Sequence, residues 1–318
     1  MTDRNIPTHS SHSFLQRNCP ICNQSDRLIE HVVTSLIRAE NSTFDELVNY
    51  WIGLFKERVF FSYSRCKNCN LLYSRQYFND EQLRSLYSKM PENMSEVVKK
   101  KCINKTHQDY YSIFSKYSSL KGNYLEIGPD TGFFSYLCLK HGYFENFYLY
   151  EPNRLVWESL KERLNGVNYY LSDKMDNFTK IQGDSISSVV MIHVLDHLVD
   201  PLNALRVIKT KLRRNGILAI VTHDESSFIT RFSSNRWPAY CLQHPQLFNK
   251  ESINNLLSEA GFRILTIKKT VNYFPLTFIL NNIIGIFNLK KVRFPEFKYL
   301  DIPMKLGNIM TIAITNNI

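Results

Sequence analysis

From residue 122 onward, short apolar runs alternate with stripes of helical period. The strand-like runs are 123–128, 146–152, 167–172, 185–195, 216–223, 262–271 and 309–316. Between them, 132–141, 153–164, 201–214 and 250–260 carry apolar residues at three- and four-residue spacing. Asp200-Pro201 supplies an N-cap followed by proline at the first helical position, and Gly261 fits the residue just past a helix end. Strict strand–helix alternation predicts an α/β fold: a doubly wound, mostly parallel seven-stranded sheet covered on both faces.

The first 121 residues are patterned differently. Residues 1–18 are polar and expected to be loose, and 19–78 hold two cysteine pairs. Phe44, Leu47, Val48, Trp51, Phe55 and Val59 form one stripe and predict an amphipathic helix. Residues 79–121 read as a helical linker or lid, with a first helix capped by Asn79 or Asp80 and then a basic, aromatic helical stretch. The domain from 122 to 318 follows. No run of about 18 apolar residues predicts a membrane span, and the start of the chain is no signal peptide.

The chain has 318 residues, 44% hydrophobic and 21% charged, enough to bury a core. Its net charge of +10 admits nucleic acid, anionic lipid or phosphorylated molecules as partners, or a merely solvated basic surface. Seven cysteines without a secretion signal predict metal ligands and buried thiols in a cytoplasmic protein. Cys19 and Cys22 ("CPIC") and Cys66 and Cys69 ("CKNC") are two C-x-x-C knuckles. Two knuckles complete a closed tetrahedral zinc site, structural because protein fills all four positions.

The chemistry of the larger domain starts at "LEIGPDTG". Gly128 and Gly132 allow a tight strand-to-helix turn at the ligand edge of the sheet, but Asp130 replaces a middle glycine and Glu126 precedes it. Carboxylates there repel a diphosphate and attract a cation. S-adenosylmethionine fits, with Glu126 near its ammonium, amides at the helix start on its carboxylate, and Glu151 after the second strand on its ribose hydroxyls. Four histidines are placed to serve as base or to orient ligands: His193 in the fourth strand, His197 and His223 past strands four and five, and His244 in "WPAYCLQHPQLF".

These motifs, in order, resemble class I S-adenosylmethionine-dependent methyltransferases. "LEIGPDTG" resembles the family's glycine motif, "YLYEPN" its ribose motif and "IHVLDHLVDP" its fourth-strand motif, while "LFNKESINNLLSEAGFRIL" resembles its late helix–strand segment. The resemblance implies that Glu126, Gly128, Asp130, Gly132, Glu151, Asp173 and His193 lie at the donor, with Asp173 receiving the adenine amino group. "SRCKNCNLLYSRQYFNDEQLRSLY" resembles the zinc-ribbon segment preceding the methyltransferase domain in bacterial enzymes that act on sugars, surface polysaccharides and natural products. In the sugar C-methyltransferases of that group, His244 matches the proposed base, with Gln243 and Cys241 standing where they have glutamate and tyrosine. They carry a third domain, for which this chain is too short, so the likeness spans 19–318. It implies O- or C-methylation of a small acceptor, sugar, sugar nucleotide or polysaccharide precursor, with catalytic candidates His244, His197 and His223. Rival readings are an RNA methyltransferase using Lys99, Lys100, Lys101 and Lys105, and a non-catalytic adenosylmethionine-binding protein. No nucleic-acid partner is expected. The apolar segment 271–289 suits a lid, a homodimer face or a lipid-touching surface.

Overall fold

The computed structural model describes residues 13–51, 58–88, 100–174, 178–277, 279–280, 300–305 and 307–315. Phe55, Lys99 and most of 271–289 lie outside the described residues.

Seven strands form the main sheet: β1 (Lys121–Ile127), β2 (Tyr143–Tyr150), β3 (Asn168–Ser172), β4 (Ile186–Ile192), β5 (Leu212–His223), β6 (Phe262–Lys269) and β7 (Asn308–Thr315). Their order is 3-2-1-4-5-7-6, with β7 alone running against the other six strands. The doubly wound sheet read from the pattern is therefore present. Near-continuous apolar runs in the central strands fit a sheet buried on both faces. Leu125, Val189, Met191, Leu218 and Ile220 pack on one face with Leu205, Ile208, Ile253 and Leu256. Tyr124, Phe147, Leu149, Val190 and Ala219 pack on the other with Phe134, Cys138, Leu160 and Phe114. The chain reverses direction across the sheet between β1 and β4, which opens a crevice at their carboxyl ends.

The predicted punctuation is in place. The Asp200 side chain accepts from the Asn203 amide and Pro201 opens the helix Pro201–Lys211. Gly261 follows Lys250–Glu259 with φ 80°. Asn79, not Asp80, caps the helix Asp80–Ser88: it accepts from the Gln82 amide at 2.9 Å while Gln82 Oε1 accepts from the Asn79 amide at 2.9 Å.

Several expectations change: the helix expected over 201–214 ends at Lys211, where β5 begins, and within the stretch expected to be loose Leu15–Gln16 pair with Gln76–Tyr77 while Arg17 is buried. The helix expected along 44–59 is Phe44–Val48, and Val59 instead begins a short strand, Val59–Phe60, paired with Ile37–Arg38. A β-branched residue beside a phenylalanine favours the extended pairing. β4 ends at Ile192, so His193 stands just past the strand with φ 52°.

The cysteine module builds a small sheet from Leu28–Val33, Tyr63–Cys66 and Leu72–Ser74. Its outer strand is Gln246–Leu247, from far along the chain, paired with Leu72 and Tyr73. Main-chain pairing thus joins the module to the segment that carries His244. Among the described residues, no helix is long and apolar enough to cross a membrane.

Candidate active site and cysteine cluster

The turn after β1 takes left-handed backbone at Gly128 (φ 67°), Asp130 (φ 51°) and Gly132 (φ 81°). The left-handed angle favours glycine at both positions, and a Cβ at Gly128 or Gly132 would also sit 2.5 Å from a methyl of Val194 or Leu160, which would have to move. Aspartate accepts the left-handed region better than most residues, which explains its tolerance between them. Glu151, 6% exposed, ties the loops after β1 and β2 together. Its carboxylate accepts from the Asp130 amide and the Asn153 amide, each at 2.9 Å. Burial pushes its carboxyl up to about 7.

Glu126 shares a face with Tyr124, as alternation in a strand requires. It is 1% exposed, accepts from Tyr124 Oη at 2.8 Å and from Ser135 Oγ, and is pushed up to about 7 by burial. The sequence places it beside a cation; the structure engages it with two hydroxyls in the core under the helix Phe133–His141. Asp173 follows β3, and its carboxylate pairs with Arg154, whose Nε donates at 2.8 Å. The turn itself carries Asp130 and no lysine or arginine, Arg163 Nε donates to its Thr131 carbonyl at 2.8 Å, and Glu151 lies buried at the crevice. That donor set fits a cationic methionine moiety and ribose hydroxyls better than a diphosphate.

Beside this turn the four predicted histidines converge. Ring centroids are 4.7 Å apart for His193–His223 and His197–His244, and 4.8 Å for His223–His244. Asp196, 0% exposed, is the group that the sequence reading passed over. One oxygen, Oδ2, accepts from the His223 amide at 3.0 Å and from His223 Nδ1 at 2.7 Å. His244 Nδ1 lies 2.7 Å from the Ala239 carbonyl, which can only accept, so Nδ1 carries the proton and Nε2 keeps its lone pair. Burial lowers all four imidazoles: His193 to about 3, His197 and His223 well below the ordinary range, and His244 below its ordinary value. They are neutral near pH 7, as a base or a ligand must be.

Two parts of the N-terminal region cover this cluster. Tyr87, from the helix Asp80–Ser88, places its hydroxyl 3.4 Å from His197 Nδ1. Tyr110, from the helix Lys100–Phe114, lies 3.5 Å from His193 Nε2, and the Asn308 amide lies 3.3 Å from the same atom.

The four cysteines of the two knuckles come together. Sγ separations are 3.4 Å for Cys19–Cys69, 3.6 Å for Cys22–Cys66 and 3.5 Å for Cys66–Cys69, and all four thiols are free. A tetrahedron with bonds of about 2.3 Å spaces its sulfurs by about 3.8 Å. After each pair, Asn23 and Asn70 take φ 56° and 55°, and their amides donate back to the Cys19 and Cys66 carbonyls. Both knuckles therefore have one geometry. Cys19 is pushed down to about 5 because the Cys69 thiol bonds to it, and Cys69 is pushed up by the same bond. The donor set suits a thiophilic ion.

Module and histidine cluster are joined by buried polar contacts. Arg17, 8% exposed, donates to the carbonyls of Val199 (2.8 Å) and Pro245 (3.1 Å) and to Gln246 Oε1 (2.7 Å). Gln246 Nε2 donates to the carbonyls of Leu195 (3.1 Å) and Leu198 (2.6 Å), which frame the loop of Asp196 and His197. Tyr63 Oη donates to the His244 carbonyl at 2.6 Å. Arg65 grips Glu225 through two bonds of 2.8 and 3.0 Å. Nothing in the periodicity of the sequence marks Arg17 or Gln246. The one legible hint is a lone arginine beside the first knuckle.

A family model described as a methyltransferase domain matches residues 96–267. No curated protein matches the sequence. Among solved structures, the complex between the Haloferax volcanii Trm112 methyltransferase activator and a methyltransferase aligns at TM-score 0.51 and 10% identity, over 72% of this chain and 100% of that one. A SAM-dependent methyltransferase of Leishmania major aligns at 0.49 and 12%, over 73% of this chain and 81% of that one. One from Archaeoglobus fulgidus aligns at 0.45 and 16%, over 66% and 93%. At such identities these likenesses concern the fold alone. With more than half of its length matched by the family model, the chain belongs to this methyltransferase-domain family and is an S-adenosylmethionine-dependent methyltransferase.

Proposed function

We propose that the protein methylates a small, sugar-like hydroxyl acceptor, with His244 as the base. Adenosylmethionine, when bound, supplies a methyl group activated by its sulfonium. Glu151 would hold the ribose hydroxyls, and the amides of the 128–132 turn would take the carboxylate. His244 Nε2 takes the hydroxyl proton while the new carbon–oxygen bond forms and the carbon–sulfur bond breaks. His197 and His223 flank it, and Asp196 orients His223. We assign the four cysteines to structural zinc, which keeps the module folded against the His244 segment. Seven free cysteines fit a reducing compartment, and we place the protein in the cytoplasm.

The observation that carries this reading is the fixed tautomer of buried His244 within a cluster of half-buried histidines beside the turn after β1. RNA is less well supported, because Lys101 and Lys105 are engaged with Asp301, at 3.6 and 2.9 Å. The test is transfer of labelled methyl from adenosylmethionine to a panel of nucleotide sugars and, separately, to RNA. Label in a sugar is expected, with His244→Ala cutting turnover about 10²–10⁴-fold while donor affinity measured by calorimetry stays intact. Label in RNA alone, or near-normal turnover in His244→Ala, would overturn the assignment.

A further inference from the structure

We propose that His193, Asp196 and His223 form a second metal site, distinct from the cysteine cluster, for a divalent first-row transition ion. One nitrogen from each histidine and one Asp196 oxygen lie within 4.8 Å of one another. Bonds of about 2.0–2.2 Å put ligand atoms up to about 4.2 Å apart across an ion, so the three need to close by less than an ångström. Two imidazoles and a carboxylate suit such ions and leave coordination positions open.

A plain histidine–aspartate hydrogen bond leaves part of this cluster unexplained. It uses only Oδ2 of Asp196; Oδ1 is buried with no partner among the described residues, in a side chain of 0% exposure. His193 Nδ1 is likewise buried with no partner among the described residues, while Tyr110 and Asn308 lie at Nε2 on the other side of the ring. Unpaired buried polar atoms are costly, and two of them in one cluster call for a ligand. An ion turns both into donors to metal, with Tyr110 and Asn308 as outer-shell supports that fix the ring. The left-handed backbone at His193, φ 52°, adds the local strain common at functional sites. At the carboxyl edge of β4 and β5, the ion would bind an acceptor oxygen and ease loss of its proton to His244. That role rests on the small-acceptor reading, whereas the metal count does not.

The test uses the untagged full chain, equilibrated with Zn²⁺ or Co²⁺ and desalted. Two ions per chain are expected, and with cobalt two spectra: intense thiolate charge transfer from the cysteine site and weak visible bands from a nitrogen–oxygen site. Asp196→Asn and, separately, His193→Gln should weaken the second ion by about 100-fold or more and leave the thiolate bands. One ion per chain in the wild type, all of it thiolate-bound, would overturn the proposal without recourse to any variant. So would a second ion held equally well by both variants. If the proposal fails in this way while label still reaches a sugar, the small-acceptor reading stands without the metal.

Discussion

The two sides of the crevice proposed for donor and acceptor are built in opposite ways. The donor side is nearly contiguous: β1, a five-residue turn, a helix, and Glu151 at the end of the next strand. Its neighbours in space are neighbours in the chain. The acceptor side gathers Tyr87, His193, Asp196, His223, Trp237 and His244 from segments far apart, held by Arg17, Tyr63 and Gln246. On the proposed reading, the methyl-donor site is specified locally, while the acceptor side rests on a module that supplies a sheet partner and buried hydrogen bonds from outside the main sheet.

The sharpest way to break this comparison is at the cysteines. Cys22→Ser, or removal of the proposed zinc by chelation, is expected to cost upward of about 4 kcal/mol, the scale of losing a structural metal. Hydrogen exchange should rise across 237–249, while β1 and β2 stay protected. Unchanged protection at 237–249 would mean that the module does not hold the acceptor side. The donor side should respond to a point change alone. Glu151→Ala removes both amide contacts and the ribose acceptor, and should weaken adenosylmethionine binding by about 1–3 kcal/mol. Calorimetry showing unchanged affinity would remove Glu151 from the donor site.

The smallest expected effect is a difference in sign with pH. Glu126 rises from 4.5 to about 7 in the folded chain, so between those values the native state holds a proton that the unfolded chain has released. Its contribution therefore makes stability fall as pH rises from 4.5 to about 7. His193 falls from 6.5 to about 3, so the unfolded chain takes up the proton and stability falls as pH drops below 6.5. Glu126→Gln should stabilise the protein at pH 8 by about 1–3 kcal/mol more than at pH 5, measured by denaturant midpoints. His193→Gln should lessen the loss on acidification. Equal effects of Glu126→Gln at both pH values would show that burial does not hold its proton.

The sequence by itself determined the seven strands, the helices between them, the Asp200 and Gly261 boundaries, the left-handed turn through Asp130, and the two knuckles. Each is encoded by periodicity, or by a residue type with one strong backbone preference acting over a few positions. It also named the four histidines: His193, His197 and His223 from the fourth and fifth strands and their ends, and His244 through the family resemblance. Only the tertiary structure decided that His193 leaves the strand, that Glu126 turns into the core, that Asp196 pairs with His223, and that Ala239 fixes the His244 tautomer. It alone joined Gln246–Leu247 to the cysteine module and sent Arg17 across to Val199 and Pro245. Contacts between residues tens to hundreds of positions apart leave no period in the chain. They are set by which buried donors and acceptors must find partners once the sheet and the module have packed.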